Sequence, residues 1–365
     1  GPVAGELSPQ QSKVKNGSLD RTAFPPETYH DEHDLMGEDP AAAALWEDVN
    51  GFPVVNFAFV DAEVDRFAVW RAVIQWRKFT CLEFKEVSPD YSGPHLRIQR
   101  HEDDCKSFVG VVSSTGQDFY ISEDCETHQG ELLHEFGYAI GLWPTETRTD
   151  RDSYVQIIEE NSLPDASLNF PIISDNDYDV PYDYASILHH HGRIFTSNGK
   201  RTIATLNPLF QGIIGQRQQI SHMDNLLVNT MYQCSDKLLS QCSLASDPCQ
   251  NYGILNKMCS CTCPDGTSGT YCETVDTPYD ETFLSPYSEY ITSPTTLTSP
   301  TDSLVPTEVK FTKIIVAPEC HRVVAQFNVF DIYQRTEHYV DSTTTEHICW
   351  YDAVNVQIDD SLDGE

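Results

Sequence analysis

Six of the twelve cysteines in this 365-residue chain crowd into residues 242–272. So short a stretch cannot bury enough apolar surface to hold itself together. The density therefore reads as a module stapled by disulfides in an oxidising compartment. Zinc is the usual rival for clustered cysteines, but Cys259-Ser260-Cys261-Thr262-Cys263 lacks the two-residue spacing of a zinc knuckle. The other cysteines are scattered, and residues 1–80 contain none.

Hydrophobic periodicity divides the chain further. Residues 1–40 are polar and aperiodic, and 1–45 read as a flexible arm or propeptide remnant. From Trp46 the pattern changes. Val54–Phe59 alternates as a strand does, and Asp61–Phe79 carries Val64, Phe67, Trp70 and Ile74 at helical spacing. Leu82–Phe84, Leu96–Ile98, Phe108–Val112 and Phe119–Ile121 are short strand candidates. Residues 126–142 read as a helix with Leu133, Phe136 and Ile140 on one stripe. This succession predicts a mixed α/β (α+β) domain. Residues 143–233 read as mostly irregular. Residues 274–309 are rich in Thr, Ser and Pro and read as a linker, and 310–365 regain β character.

With 23 Lys and Arg against 56 Asp and Glu, the net charge is 23 − 56 = −33. Binding to a nucleic-acid backbone rests on Lys and Arg, so nucleic acid is excluded as a partner, and an anionic membrane surface is disfavoured. The apolar stretch Phe52–Val60 is too short to insert across a bilayer. No signal peptide is visible, and Gly1-Pro2 reads as the remnant of a cleaved tag. The cysteine usage nevertheless predicts a secreted, extracellular protein. Asn16-Gly17-Ser18 is one N-glycosylation sequon.

The segment that carries chemistry is HEFGYAIGLWPTETRTDRD, from His134 to Asp152. In H-E-x-x-H, two imidazoles one helical turn apart face one metal, and the Glu between them acts as general base on the metal-bound water. The longer form H-E-x-x-H-x-x-G-x-x-H lets a third His reach that metal after a Gly turn. Here the sequence resembles the astacin family of metzincins, whose signature continues E-x-x-R-x-D-R-D. His134, Glu135, Gly141, Arg148, Asp150, Arg151 and Asp152 match. Three positions depart. Tyr138 stands where the second zinc His belongs, Pro144 where the third belongs, and Thr145 where the family has a Glu linked to its mature N-terminus.

Tyr184–His190 resembles the family's Met-turn. Leu188 replaces the Met, and His190 replaces the Tyr that serves the family as an extra ligand. The resemblance covers about residues 46–234 and implies a two-lobed domain with disulfides Cys81–Cys234 and Cys105–Cys125. It also makes the Phe108–Ile121 region the edge that pairs with an extended peptide. Residues 235–273 resemble an EGF-like module of the kind that follows the protease domain in nematode astacins. That implies pairs Cys242–Cys259, Cys249–Cys261 and Cys263–Cys272. Residues 310–365 resemble part of a CUB domain, in which Cys320 and Cys349 would pair.

A catalytic zinc needs three protein ligands and an open position for water. Tyr138 is a poor ligand because a phenol stays protonated to a pKa of about 10, and Pro144 has no ligand atom. His134 is then a vestigial ligand and Glu135 a vestigial general base, and no cofactor is expected. His189, His190 and His191 form a run that can bind metal adventitiously. The reading is a secreted, catalytically inactive astacin-like protein that binds an extracellular protein or peptide, a host factor being one such class. The alternatives are an active zinc metalloendopeptidase with a rebuilt site and a structural matrix protein.

Overall fold

A computed structural model describes residues 44–164, 170–173, 177–284 and 288–292, with the backbone of 313–315, 336–339 and 345–348. The expectations for the arm, Asn16, most of the linker and the CUB-like region with Cys320 and Cys349 lie outside these described residues.

The sheet starts at a tight hairpin. Asn50 and Gly51 both take positive φ, 57° and 94°, which is the geometry of a type I′ turn. The turn joins β1 (Asp48–Val49) to β2 (Phe52–Phe59). β2 pairs parallel with both β3 (Glu83–Glu86) and β4 (Leu96–Arg100). β6 (Gln117–Ile121) pairs parallel with β4 and antiparallel with β5 (Lys106–Ser107). β6 therefore has a neighbour on each side. This corrects the expectation that Phe108–Ile121 forms one edge strand. After β5 the chain enters a loop that touches the N-terminal segment: Ala44 and Val111 exchange both main-chain hydrogen bonds, at 3.2 and 2.7 Å.

Helix α1 runs over Arg66–Phe79, capped by Asp65, whose side chain accepts from Phe67 N at 2.8 Å. Periodicity placed this helix over Asp61–Phe79, and it starts at Arg66; of the expected stripe Val64 and Trp70 pack into the core, but Phe67 and Ile74 do not. Ala68, Val69, Ala72, Val73 and Trp76 are buried, while Phe67 and Ile74 are 71% and 58% exposed. Small residues win the inner face because α1 packs closely on α3 (Gln129–Ala139), where Trp76 Nε1 donates to Leu133 O at 3.1 Å.

The helix expected over 126–142 is two helices. Ser122 caps α2 (Glu123–Thr127), and His128, with ψ 85°, breaks the run before α3. From Leu132 to Ala139 every residue of α3 is buried, so the helix is a core element without a polar face. Gly141 ends it at φ +98°, a conformation open to glycine, and Leu142 N–H returns to Gly137 O at 3.0 Å. The Trp46 indole and the Tyr232 hydroxyl donate to the carbonyls of Ala139 and Ile140, at 2.7 and 2.9 Å. These partners satisfy acceptors that a helix end leaves open.

Beyond α3 lies a second apolar cluster built from Val155, Phe170, Tyr182, Tyr184, Phe195, Ile203, Phe210 and Ile214. Its strands β7 (Val155–Ile157) and β8 (Ile203–Thr205) pair antiparallel. The stretch read as irregular ends in a regular helix, α4 (His222–Met231). Its capping box joins Ser221 and Asp224. A fifth helix, α5 (Cys234–Cys242), spans the expected boundary at residue 234 and leads into the cysteine-rich segment.

Disulfides join Cys81 to Cys234, Cys105 to Cys125, Cys242 to Cys259, Cys249 to Cys261 and Cys263 to Cys272. The cysteine-rich segment leans on the larger domain: Lys257 pairs with Glu83 at 2.7 Å, and the His222 ring bonds Tyr252 O at 2.7 Å. Among the described residues no helix is long and apolar enough to cross a membrane.

Candidate functional site

Helix α3 sets His134 and Tyr138 one turn apart, so their side chains share a face. The rings meet edge to face at 4.6 Å between centroids. Under them passes the loop 183–191. Ile187 O bonds His134 Nδ1 at 2.7 Å, and the Leu188 side chain fills the space left by Gly137, where a Cβ would lie 2.8 Å from Leu188 Cδ2. Thus the loop meets α3 through this hydrogen bond and a close packing contact.

His190 enters beside them. Its ring centroid is 5.8 Å from that of His134, and its Nε2 is 3.4 Å from the Tyr138 hydroxyl. Its Nδ1 hydrogen-bonds Glu146 Oε1, and its main-chain N–H donates to Glu146 Oε2 at 3.3 Å. The carboxylate is an acceptor only, so His190 Nδ1 carries the hydrogen. Glu146 is wholly buried. Burial alone would push its carboxyl up, but the facing His190 and then His189 outweigh that and hold it at about 2. His189 Nδ1 bonds His190 O at 2.8 Å, which leaves Nε2 to accept from the Tyr182 hydroxyl at 2.8 Å. Burial holds the His189 pKa low.

The sequence-predicted residues therefore divide. His134, Tyr138 and His190 come together, with Glu135 next to them on α3 and Pro144 buried at the start of the following turn. The three imidazoles of the His run do not converge: His189 faces Tyr182, His190 faces Glu146 and Tyr138, and His191 Nδ1 accepts from Arg193 N at 3.2 Å. The charged tail after the motif holds the next loop. Arg148 makes a two-point pair with Asp150, both bonds 2.8 Å, and Arg151 donates to Glu146 O and Phe170 O at 3.0 and 2.8 Å.

Sequence reasoning missed Glu146, Tyr182, Asp183 and Asp224. Glu146 is one residue past the altered Thr145, which is a weak signal, and its partner is 44 residues downstream. Asp224 had a stronger one, since Ser221-x-x-Asp224 is a capping pattern.

The donor set does not suit the zinc that the family motif implies. His134 remains an imidazole oriented by Ile187 O, but Tyr138 offers only a phenol and Pro144 no ligand atom, so two of the three donors of the motif are missing. Among the described residues no three His, Cys, Asp or Glu side chains come together in a way that holds a metal ion.

Three comparisons with known proteins bear on this site. Zinc metalloproteinase nas-34 of Caenorhabditis elegans is 36% identical over 233 residues, 62% of this chain and 37% of that protein. Zinc metalloproteinase dpy-31 of the same nematode is 34% identical over 282 residues, 73% of this chain and 45% of that protein. Among solved structures, high choriolytic enzyme 1, a hatching enzyme zinc-protease from the medaka fish Oryzias latipes, matches at 28% identity and TM-score 0.47, covering 52% of this chain and 94% of that one. The chain spans less than half the length of the two curated relatives. The peptidase family described as Astacin matches residues 44–233, more than half of the chain, with the altered motif on α3 inside the match. The chain belongs to the astacin family.

Proposed function

We propose that this astacin-family chain is a secreted binding protein that does not cut peptides. One observation carries the reading: the buried ion pair of His190 with Glu146 sits beside His134 and Tyr138, where a hydrolytic site needs an open ligand position. His134, Glu135, Tyr138 and His190 are 1, 4, 3 and 2% exposed, so no group in the set has room to meet water and substrate together. The carboxylate accepts hydrogen bonds from the ring and the main chain of His190 and packs the site closed.

The partner class is an extracellular protein or peptide. Val112, next to the Ala44–Val111 pairing, is 44% exposed and offers an apolar side chain to such a partner, while its main-chain N–H is taken by Gln117 Oε1 at 3.0 Å. Residues 235–273 act as an EGF-like spacer, and 310–365 as a CUB-like region. Five disulfides among the described residues support an oxidising, extracellular setting.

The names of the relatives, zinc metalloproteinases, favour the second reading, an active enzyme with a rebuilt site. Elemental analysis of protein purified without a metal-binding tag separates the two. The binding reading expects folded protein with no stoichiometric zinc and no chelator-sensitive cleavage of casein or gelatin. One zinc per chain with such cleavage overturns it. Cross-linking in extracellular fluid then compares the wild type with Val112→Trp. Loss of a cross-linked partner in the variant supports Val112 as part of the docking site, and an unchanged pattern removes Val112 from the proposal.

A further inference from the structure

Two carboxylates lie buried together under the 183–191 loop, away from the His190 cluster. Asp224, from α4, has its oxygens saturated. Oδ1 accepts the Ser186 hydroxyl at 2.6 Å, and Oδ2 accepts Ile187 N–H at 2.8 Å and Ser221 N–H at 2.9 Å. Asp183 is 6% exposed and differs. Its Oδ1 accepts Ala185 N–H at 2.9 Å, its Oδ2 is buried, and the Ser221 hydroxyl acts on the carboxyl as a further donor. Asp224 has more donors than Asp183, so its charge is the easier of the two to hold.

The groups around Asp183 come from each neighbouring element. Arg148 approaches from the charged turn, but its guanidinium is occupied by Asp150 and Val180 O. Ser221 and Asp224 face it from the start of α4. The Tyr279 phenol faces it from the segment after the last disulfide and accepts His222 N–H at 3.2 Å. His222 itself is turned to Tyr252 O. Among the largest influences on the pair the positive charge is that of Arg148. Two adjacent buried carboxylates with so little positive charge cannot both ionise cheaply.

We propose that Asp183 and Asp224 form a proton-binding latch: one proton, held on Asp183, keeps the 183–188 turn, the start of α4 and the Tyr279 segment docked, and its loss releases them. Ser221 and Tyr279 face Asp183, and ionised Asp224 keeps its three donors. Burial first and the Asp224 charge second push the Asp183 carboxyl up to about 7, against Ser221, Ala185 N–H and Arg148. A carboxyl raised in the folded state gives stability that is fully present below its unfolded value of 3.8 and is lost progressively as pH rises to the folded value of about 7. The latch is therefore tightest in acid, loosens as pH rises through the mildly acidic range, and is fully loosened just above neutrality. It does not depend on whether the chain cuts peptides.

The test is hydrogen exchange of the full chain, read by mass spectrometry on peptides covering 183–188 and 276–284 and corrected for intrinsic pH effects, beside urea unfolding from pH 5 to 9. The wild type should lose about tenfold protection in both segments between pH 6 and pH 8, the factor expected for one proton with a midpoint near 7. Asp183→Asn should abolish that step and leave the acid-side protection intact. Equal steps in wild type and Asp183→Asn overturn the latch. So does a step confined to 183–188 with 276–284 unmoved. If Asp183→Asn does not fold, the wild type decides alone: flat protection of 276–284 from pH 6 to 8 overturns the proposal, and a one-proton loss there sustains it.

Discussion

Glu146 receives both the ring Nδ1–H and the main-chain N–H of His190, so one buried carboxylate fixes the side chain and the backbone of a residue 44 positions away. The contact ties the turn after α3 to the loop beneath it. In Glu146→Gln, His190 loses its counter-charge in a dry site. Removing one partner of a buried pair costs about 3–5 kcal/mol. Urea unfolding at neutral pH should show a drop of that order, and a drop of under about 1 kcal/mol would mean that the pair is not buried in solution.

The same pair sets an acid limit. The Glu146 carboxyl moves from an ordinary 4.5 to about 2, because His190 and His189 outweigh the upward push of burial. A lowered carboxyl gives stability that is fully present above its unfolded value and is lost as pH falls through its folded value. Between pH 4.5 and pH 2 the chain should therefore lose roughly 3 kcal/mol through this group. Circular dichroism against pH reads the step, which Glu146→Gln should lack.

Helix α1 predicts a contrast between two apolar substitutions. Ile74→Ser acts on a side chain that is 58% exposed and should change stability by no more than about 0.5 kcal/mol. Trp76→Ala removes a fully buried ring and its bond to Leu133 O, and should cost about 3–5 kcal/mol. Thermal unfolding separates these values. Similar losses from both would show that the helix turns its other face to the core.

Restoring the missing donors is a direct test of the site. Tyr138→His with Pro144→His puts imidazoles back at both altered positions, and His134 already lies one turn from residue 138. The double variant should take up one zinc per chain by elemental analysis, whereas the wild type should take up none. A wild type that carries stoichiometric zinc would sink the binding-protein reading.

Local rules read part of this fold well. The strand at Val54–Phe59 and the helix up to Phe79 came from alternation and helical spacing, signals carried by neighbouring residues. The face of α1 did not, because Phe67 and Ile74 are as apolar as the residues that are buried, and Ala68 and Ala72 are preferred only once α3 approaches closely. The break at His128 was equally invisible, since helix propensity runs on through it. At the site, the altered positions Tyr138, Pro144 and His190 were legible as absences from a known pattern. The group that fills the gap was not, because Glu146 gains its role from a partner distant in sequence.

The sequence by itself determined the cysteine-dense segment, the astacin-type motif and the loss of two of its imidazoles. All three are questions of which residue types stand at which spacing. Only the tertiary structure decided that His190 turns inward to Glu146, that Asp183 and Asp224 share one dry site, and that β6 is interior. Each of these depends on burial, which raises the cost of an unpaired charge or an open main-chain bond until distant segments are forced to satisfy one another.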